Sequence, residues 1–287
     1  MPVSQDIINL YDAFTHGQLS RRAFMERLTR LAGGAAAASA MLGVLANDYA
    51  RAALVAEDDA RLASASQTYT SLDGDVRAYV VWSKEGAKRP AVIVVHENRG
   101  LNPHIKDVAR RIALEGFIAI APDLLTKEGG TPEDEDKARD LVAKLDQKAA
   151  TVRLIGAVDF AKSIPESTGK TGAVGFCWGG GMVNQMAVHA PDLDAAVAYY
   201  GMQPTADRVP DIKAPLLLHY AGKDERIDAG IPDFEKSLKA AGKSYELFMY
   251  EGAQHAFNND TNAARYDKAA AELAWGRTVA FLKKQLA

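Results

Sequence analysis

Cys177 is the only cysteine in the chain, and it lies in the pentapeptide Gly175-Phe176-Cys177-Trp178-Gly179. The spacing is that of G-x-S-x-G with sulfur in place of oxygen. That pattern marks a nucleophile elbow, in which a strand turns sharply into a helix and the middle residue takes a strained backbone conformation. Glycines two before and two after let the flanking backbone segments close up. A thiol at a helix N-terminus meets unpaired N–H groups, which favour its thiolate. Such a nucleophile needs a base, and the base needs an orienting group. Both follow downstream in the order nucleophile, acid, histidine: Asp224 in Ala221-Gly222-Lys223-Asp224-Glu225-Arg226-Ile227, and His255 in Glu251-Gly252-Ala253-Gln254-His255-Ala256-Phe257. Histidine suits the base role because its pKa lies near neutrality. Asp224 would fix its tautomer, with Glu225 and Asp228 as competitors for that role.

Other chemistries fail on spacing. His96 and Glu97 would open a zinc H-E-x-x-H, but position 100 is Gly100. Gly169-Lys170-Thr171 would close a phosphate loop, but its first glycine falls on Ile164. A dinucleotide G-x-G-x-x-G would need glycine at Cys177. One cysteine excludes an internal disulfide and a C-x-x-C metal site. Neither metal nor organic cofactor is expected, and a net charge of −3 gives no case for nucleic-acid binding.

The elements around these residues alternate between strand and helix. Thr68 to Ser71 and Val76 to Trp82 read as a hairpin turning at Asp73-Gly74. The apolar, β-branched runs 91–96 and 117–121 read as strands covered on both faces. Between them, Asn102-Pro103 opens a helix with its apolar face at Ile105, Val108, Ala109, Ile112 and Ala113. The acidic run 133–136 follows Thr131-Pro132, where negative charge favours a helix start. A long helix or helix pair then runs to about Ile164. The elbow strand follows, then strands at 195–200 and 215–220, a helix over 231–241, a strand over 245–250 and a closing helix from about Asn262 to Leu286. Alternation of this kind gives an α/β architecture, a mostly parallel sheet with helices on both faces. Cys177, Asp224 and His255 each follow a strand, so all three should meet beyond the same edge of the sheet.

At 287 residues and 48% hydrophobic, the chain suits one large α/β domain, expected over 67–287, joined by a linker over 53–66 to an N-terminal leader over 1–52. Ser20-Arg21-Arg22-Ala23-Phe24-Met25 resembles a twin-arginine export signal. A weakly apolar stretch from Leu31 to Ala46 follows, and Ala50-Arg51-Ala52 offers a cleavage site. Export by the twin-arginine machinery to the periplasm or beyond is the expectation. The competing reading is a cytoplasmic helical hairpin, since Ile7, Leu10, Tyr11 and Phe14 keep helical spacing, as do Phe24, Leu28 and Leu31. No apolar run suits a stable membrane span.

Together the segments around Cys177 (GFCWGG), Asp224 (AGKDERI) and His255 (GAQHAF), with HENRGL upstream, resemble the dienelactone hydrolase family of α/β-hydrolases, from roughly Thr68 to the C-terminus. The resemblance implies an α/β-hydrolase fold and a small-molecule lactone or ester substrate cleaved by a Cys177–His255–Asp224 triad. It places the family's thiol-activating carboxylate on Glu97. It draws the oxyanion hole from the backbone N–H groups of Trp178 and Asn98, and it sets one tyrosine of Tyr199-Tyr200, taken as Tyr200, at the pocket. Family members that cleave dienelactone carry an arginine soon after the histidine. Here no cation follows before Arg265, so Arg99 is the candidate for holding a substrate carboxylate. Two other readings compete: a non-catalytic thiol sensor of oxidants on the same scaffold, and a broad-specificity carboxylesterase.

Overall fold

The computed structural model describes residues 3–49 and 53–287. Among the described residues, eight strands form one sheet: β1 (Leu62–Ser71), β2 (Gly74–Ser83), β3 (Arg89–Val95), β4 (Ile118–Pro122), β5 (Ser167–Phe176), β6 (Ala195–Tyr199), β7 (Leu216–Lys223) and β8 (Tyr245–Gln254). Their order is β1-β2-β4-β3-β5-β6-β7-β8. β1 and β2 pair antiparallel, as do β2 and β4; every other pair is parallel. This is the mostly parallel α/β sheet expected from the alternation, and the α/β-hydrolase fold that the resemblance implies. β1 begins at Leu62 rather than Thr68, so part of the stretch read as linker is an edge strand. Its residues alternate between covered and exposed, and the exposed ones are small and polar, which is why the run reads as a linker.

The inner stretches of the central strands, such as 91–95 and 172–176, are apolar because both faces are covered. In β3, Ala91, Ile93 and Val95 point into one core and Val92 and Val94 into the other. The first core is closed by α6 (Gln147–Ser163), α7 (Trp178–His189), the short α8 (Glu225–Asp228) and α9 (Ile231–Ala240), through residues such as Leu154, Met182, Ile227 and Leu238. The second is closed by α4 (Pro103–Leu114) and α10 (Lys268–Gln285), through Val108, Ile112, Phe281 and Leu282. Asn102 caps α4 by accepting a hydrogen bond from the N–H of Ile105. Asp134 caps α5 (Glu135–Lys144) in the same way, accounting for one member of the acidic run. α10 starts later than Asn262 because Asp267 provides its cap.

The N-terminal segment is helical: α1 (Gln5–Thr15), α2 (Arg21–Ala32) and α3 (Ala35–Leu45). Ile7, Leu10, Tyr11, Phe14, Phe24, Leu28, Ala38 and Leu45 bury one another in a third core. Among the described residues no single helix is long and apolar enough to cross a membrane, and α2 and α3 meet at a bend of 110°. The expected cleavage site at Ala50-Arg51-Ala52 lies outside the described residues.

Candidate active site

β5 ends at Phe176 and α7 begins at Trp178, so Cys177 alone makes the turn, at φ 56° and ψ −118°. A positive φ is costly for a side-chain-bearing residue and is held only where the surroundings enforce it. The glycines of the pentapeptide provide that enforcement. A Cβ on Gly175 would lie 2.2 Å from the carbonyl oxygen of Gly179, and one on Gly179 would lie 2.4 Å from that of His96. The elbow therefore packs backbone on backbone, against the end of β3, and lifts the thiol over the sheet edge.

Asp224 follows β7 and His255 follows β8, at the same edge. Nδ1 of His255 lies 2.5 Å from Oδ2 of Asp224, both side chains being buried. Asp224 is thus the carboxylate that orients the ring, not Glu225 or Asp228. A ring nitrogen of His255 lies within 4.8 Å of the Cys177 sulfur. Nδ1 is taken by Asp224, and Nε2 is buried without a hydrogen-bond partner. Cysteine, histidine and aspartate from three strand ends therefore converge.

A second imidazole, from the segment read as a leader, also reaches the sulfur. Nε2 of His16 lies 3.3 Å from Sγ of Cys177. Its Nδ1 faces the backbone oxygen of Asp12 at 2.8 Å and the Asp12 carboxylate at 3.2 Å. Burial opposes ionisation of Cys177, but His16 and His255 outweigh it and lower the thiol to about 6 from an ordinary 9.0. Burial likewise opposes protonation of His255, but Asp224, Cys177 and Asp12 outweigh it and raise the imidazole well above its ordinary value. Both shifts favour a thiolate facing an imidazolium. Because the thiolate is the reactive form, alkylation of Cys177 by iodoacetamide is expected to slow as pH falls through about 6. An unperturbed thiol would instead slow as pH falls through 9.0. Measured rate constants across that range check the shift.

Glu97 is buried just beyond β3, and its Oε2 accepts from Nδ2 of Asn259 at 2.7 Å. In this state it is held by an amide. Trp178 opens α7, where a backbone N–H has no acceptor within its own helix. The Trp178 ring stacks on His96 at 5.4 Å. Asn98 donates its side-chain amide to the carbonyl oxygen of Thr15 at 2.7 Å. Arg99 is buried rather than solvated: it donates to the hydroxyl of Tyr11 at 3.0 Å and pairs with Glu135 at 3.1 Å. Tyr199 is a core residue bonded to Thr278 at 2.7 Å, whereas Tyr200 has φ 37° and sets its ring 4.9 Å from that of His255.

The residues that sequence reasoning missed are His16, Asp12 and Asn259. The first two fell inside the presumed leader, although an Asp-x-x-x-His pair on a helix with an apolar face is a usable signal. Among the described residues, His16, Cys177 and His255 form the one grouping whose donor atoms lie close enough for a metal, within 4.8 Å. Two of the three are the candidate nucleophile and base, so a metal held there would block the thiol chemistry. Beside the site, Asp224, Arg226, His255, Arg265 and residues of α1 line an open cleft of about 520 Å³. At the thiol itself the remaining cavity is about 10 Å³.

An α/β-hydrolase fold carrying a thiol elbow, with an aspartate-bound histidine beside it, defines a hydrolase class. The model of the dienelactone hydrolase family matches residues 76–286, and the chain belongs to that family. It is a hydrolase acting on ester or lactone bonds. A second model, YqhI-like, matches residues 2–33. A candidate carboxymethylenebutenolidase of Saccharolobus solfataricus is 35% identical, with 75% of this chain and 96% of that protein aligned. Another from Escherichia coli K12 is 36% identical over 68% of this chain and 77% of its own length. Among solved structures, a candidate dienelactone hydrolase from Klebsiella pneumoniae superposes with a TM-score of 0.71 at 31% identity, covering 78% of this chain and 99% of its own.

Proposed function

We propose that the protein cleaves a lactone or activated ester by covalent thiol catalysis, with Cys177 as nucleophile, His255 as acid and base, and Asp224 as the group that orients it. The carrying observation is the 2.5 Å contact between Asp224 and Nδ1 of His255, which leaves the unpartnered Nε2 on the sulfur side. The Cys177 thiolate bonds to the acyl carbon, and the carbonyl π pair moves onto oxygen. That oxyanion would sit on the backbone N–H groups of Trp178 and Asn98. Collapse breaks the bond to the leaving oxygen, which takes the proton carried by His255. A water then gives its proton to His255 and attacks the thioester carbon, and the thiolate leaves. In a lactone, alcohol and acid stay in one molecule. Glu97, fixed by Asn259 in the resting state, would act on the thiol only after release from that amide. Tyr200 would form one wall of the substrate site.

Asp224→Asn keeps the shape but presents an amide where a carboxylate holds the ring. We expect kcat for p-nitrophenyl acetate to fall by about 10²- to 10⁴-fold. Unchanged kcat would remove Asp224 from the mechanism. Export remains a separate proposal resting on Arg21 and Arg22, whose side chains are largely exposed on α2. N-terminal sequencing of protein from its native host should begin near Ala53, and a full-length N-terminus in the cytoplasmic fraction would refute it.

A further inference from the structure

We propose that the N-terminal segment, residues 3–49, is an intramolecular plug that holds the hydrolase latent, with His16 seated on the nucleophile. The inference rests on the reading of Cys177 as that nucleophile. It is carried by what the segment touches. His16 lies on Sγ at 3.3 Å, and the carbonyl oxygen of Thr15 holds the side chain of Asn98, in the loop that would complete the oxyanion hole. Tyr11 occupies a donor of Arg99. Asp12 lies between the cations of the cleft, 3.7 Å from Arg265 and 3.9 Å from Arg226. Gln5 is bonded to Gln254, the residue before the histidine, at 2.8 Å. Nucleophile, oxyanion loop and nearby arginines are therefore all occupied by one stretch of chain.

Space makes the same point. A cavity of about 10 Å³ at the sulfur holds one water at most. An ester needs room for an acyl arm and an alcohol arm, and ordinary ligand pockets are roughly 300 Å³ or more. His16 consequently cannot serve a bound substrate in this arrangement; it must leave before one enters. The segment is built to leave as a unit. Its apolar residues bury one another, and Ala264 is the hydrolase residue packed on that cluster. Its grip on the body is otherwise polar or ring-to-cation: the contacts above, Arg139 over the ring of Phe14 at 4.3 Å, Arg265 over that of Tyr11 at 5.2 Å, Arg21 to Asp136, Tyr49 to Glu135, and the amide of Asn262 to the carbonyl oxygen of Leu45. Arg21 to Asp136 is exposed and worth little; the buried contacts of Arg99 and Asn262 are handed to water or substrate when the segment leaves. The body keeps both of its cores without the segment, and the family match begins only at residue 76.

The test places a site-specific protease sequence at residues 50–52, so that Val55, which belongs to the second core, stays with the body. The full chain is assayed before cutting, and again after cutting and removal of the segment by size exclusion at raised salt. Two rates are read: iodoacetamide alkylation of Cys177 and turnover of p-nitrophenyl acetate. A second arm leaves the chain uncut and carries Leu28→Asp, which breaks the segment's own core without touching the hydrolase. Both arms are expected to accelerate alkylation about tenfold or more, with turnover rising in step. Intact chain that alkylates and turns over as fast as cut chain overturns the plug and leaves the thiol mechanism standing. Faster alkylation with no ester turnover overturns the thiol mechanism and, with it, the latency that rests on it. Unchanged alkylation in Leu28→Asp, with the hydrolase folded, also counts against the plug.

Discussion

Cys177→Ala is expected to lower kcat/KM for an aryl ester by about 10³-fold or more, the largest loss any single substitution should cause. The sulfur is the atom to which the acyl group would be transferred, and no second cysteine exists to take its place. Alanine at φ 56° is no more strained than the cysteine it replaces, and the glycine contacts that enforce the turn are untouched. The variant should therefore fold as the parent does, with an unchanged far-ultraviolet circular dichroism spectrum. What remains is rate acceleration from the oxyanion-hole N–H groups and from binding. Initial rates on p-nitrophenyl acetate check this. A variant within a few fold of the parent would mean that the nucleophile lies elsewhere.

His255→Ala should lose nearly as much, and for a separable reason. The imidazole passes protons in both half-reactions, and it is one of the two groups that outweigh burial to keep the thiol ionised. Its removal should slow turnover by about 10³-fold or more and also shift the alkylation midpoint of Cys177 upward, toward 9.0. A residue with a merely structural role would not move that midpoint. Combining both substitutions should cost little beyond either alone, because the two groups act as one unit. Additive losses in the double variant would contradict that coupling.

The hydrolase body was legible because its signals are local. The run 91–95 has no polar residue to present to water, so it must be a strand buried on both faces. Gly175 and Gly179 can only mark a place where backbone meets backbone. Asp224 and His255 each follow a strand in a parallel sheet, and such ends share one edge. Asp224 was read as the acid, but Glu225 and Asp228 stayed competitors because three carboxylates in one turn differ only in direction; the contact with Nδ1 of His255 separates them. β1 was read too short, since Ala63 to Gln67 on a sheet edge shows water a polar face. Arg99 was a candidate for a substrate carboxylate; its partners in this arrangement, Tyr11 and Glu135, are remote in sequence and could not be read from it. The largest gap has the same cause. Nothing near His16 announces that α1 lies across the sheet edge, and a twin-arginine pattern beside a weakly apolar stretch draws the eye to export rather than to packing.

The thioester tests the central claim most directly. Protein mixed with p-nitrophenyl acetate, quenched in acid within one turnover and digested, should yield an acetyl group on the Cys177 peptide that disappears once substrate is spent. Turnover with no acyl group ever found on that peptide, or with the label on another residue, would contradict covalent catalysis by this thiol.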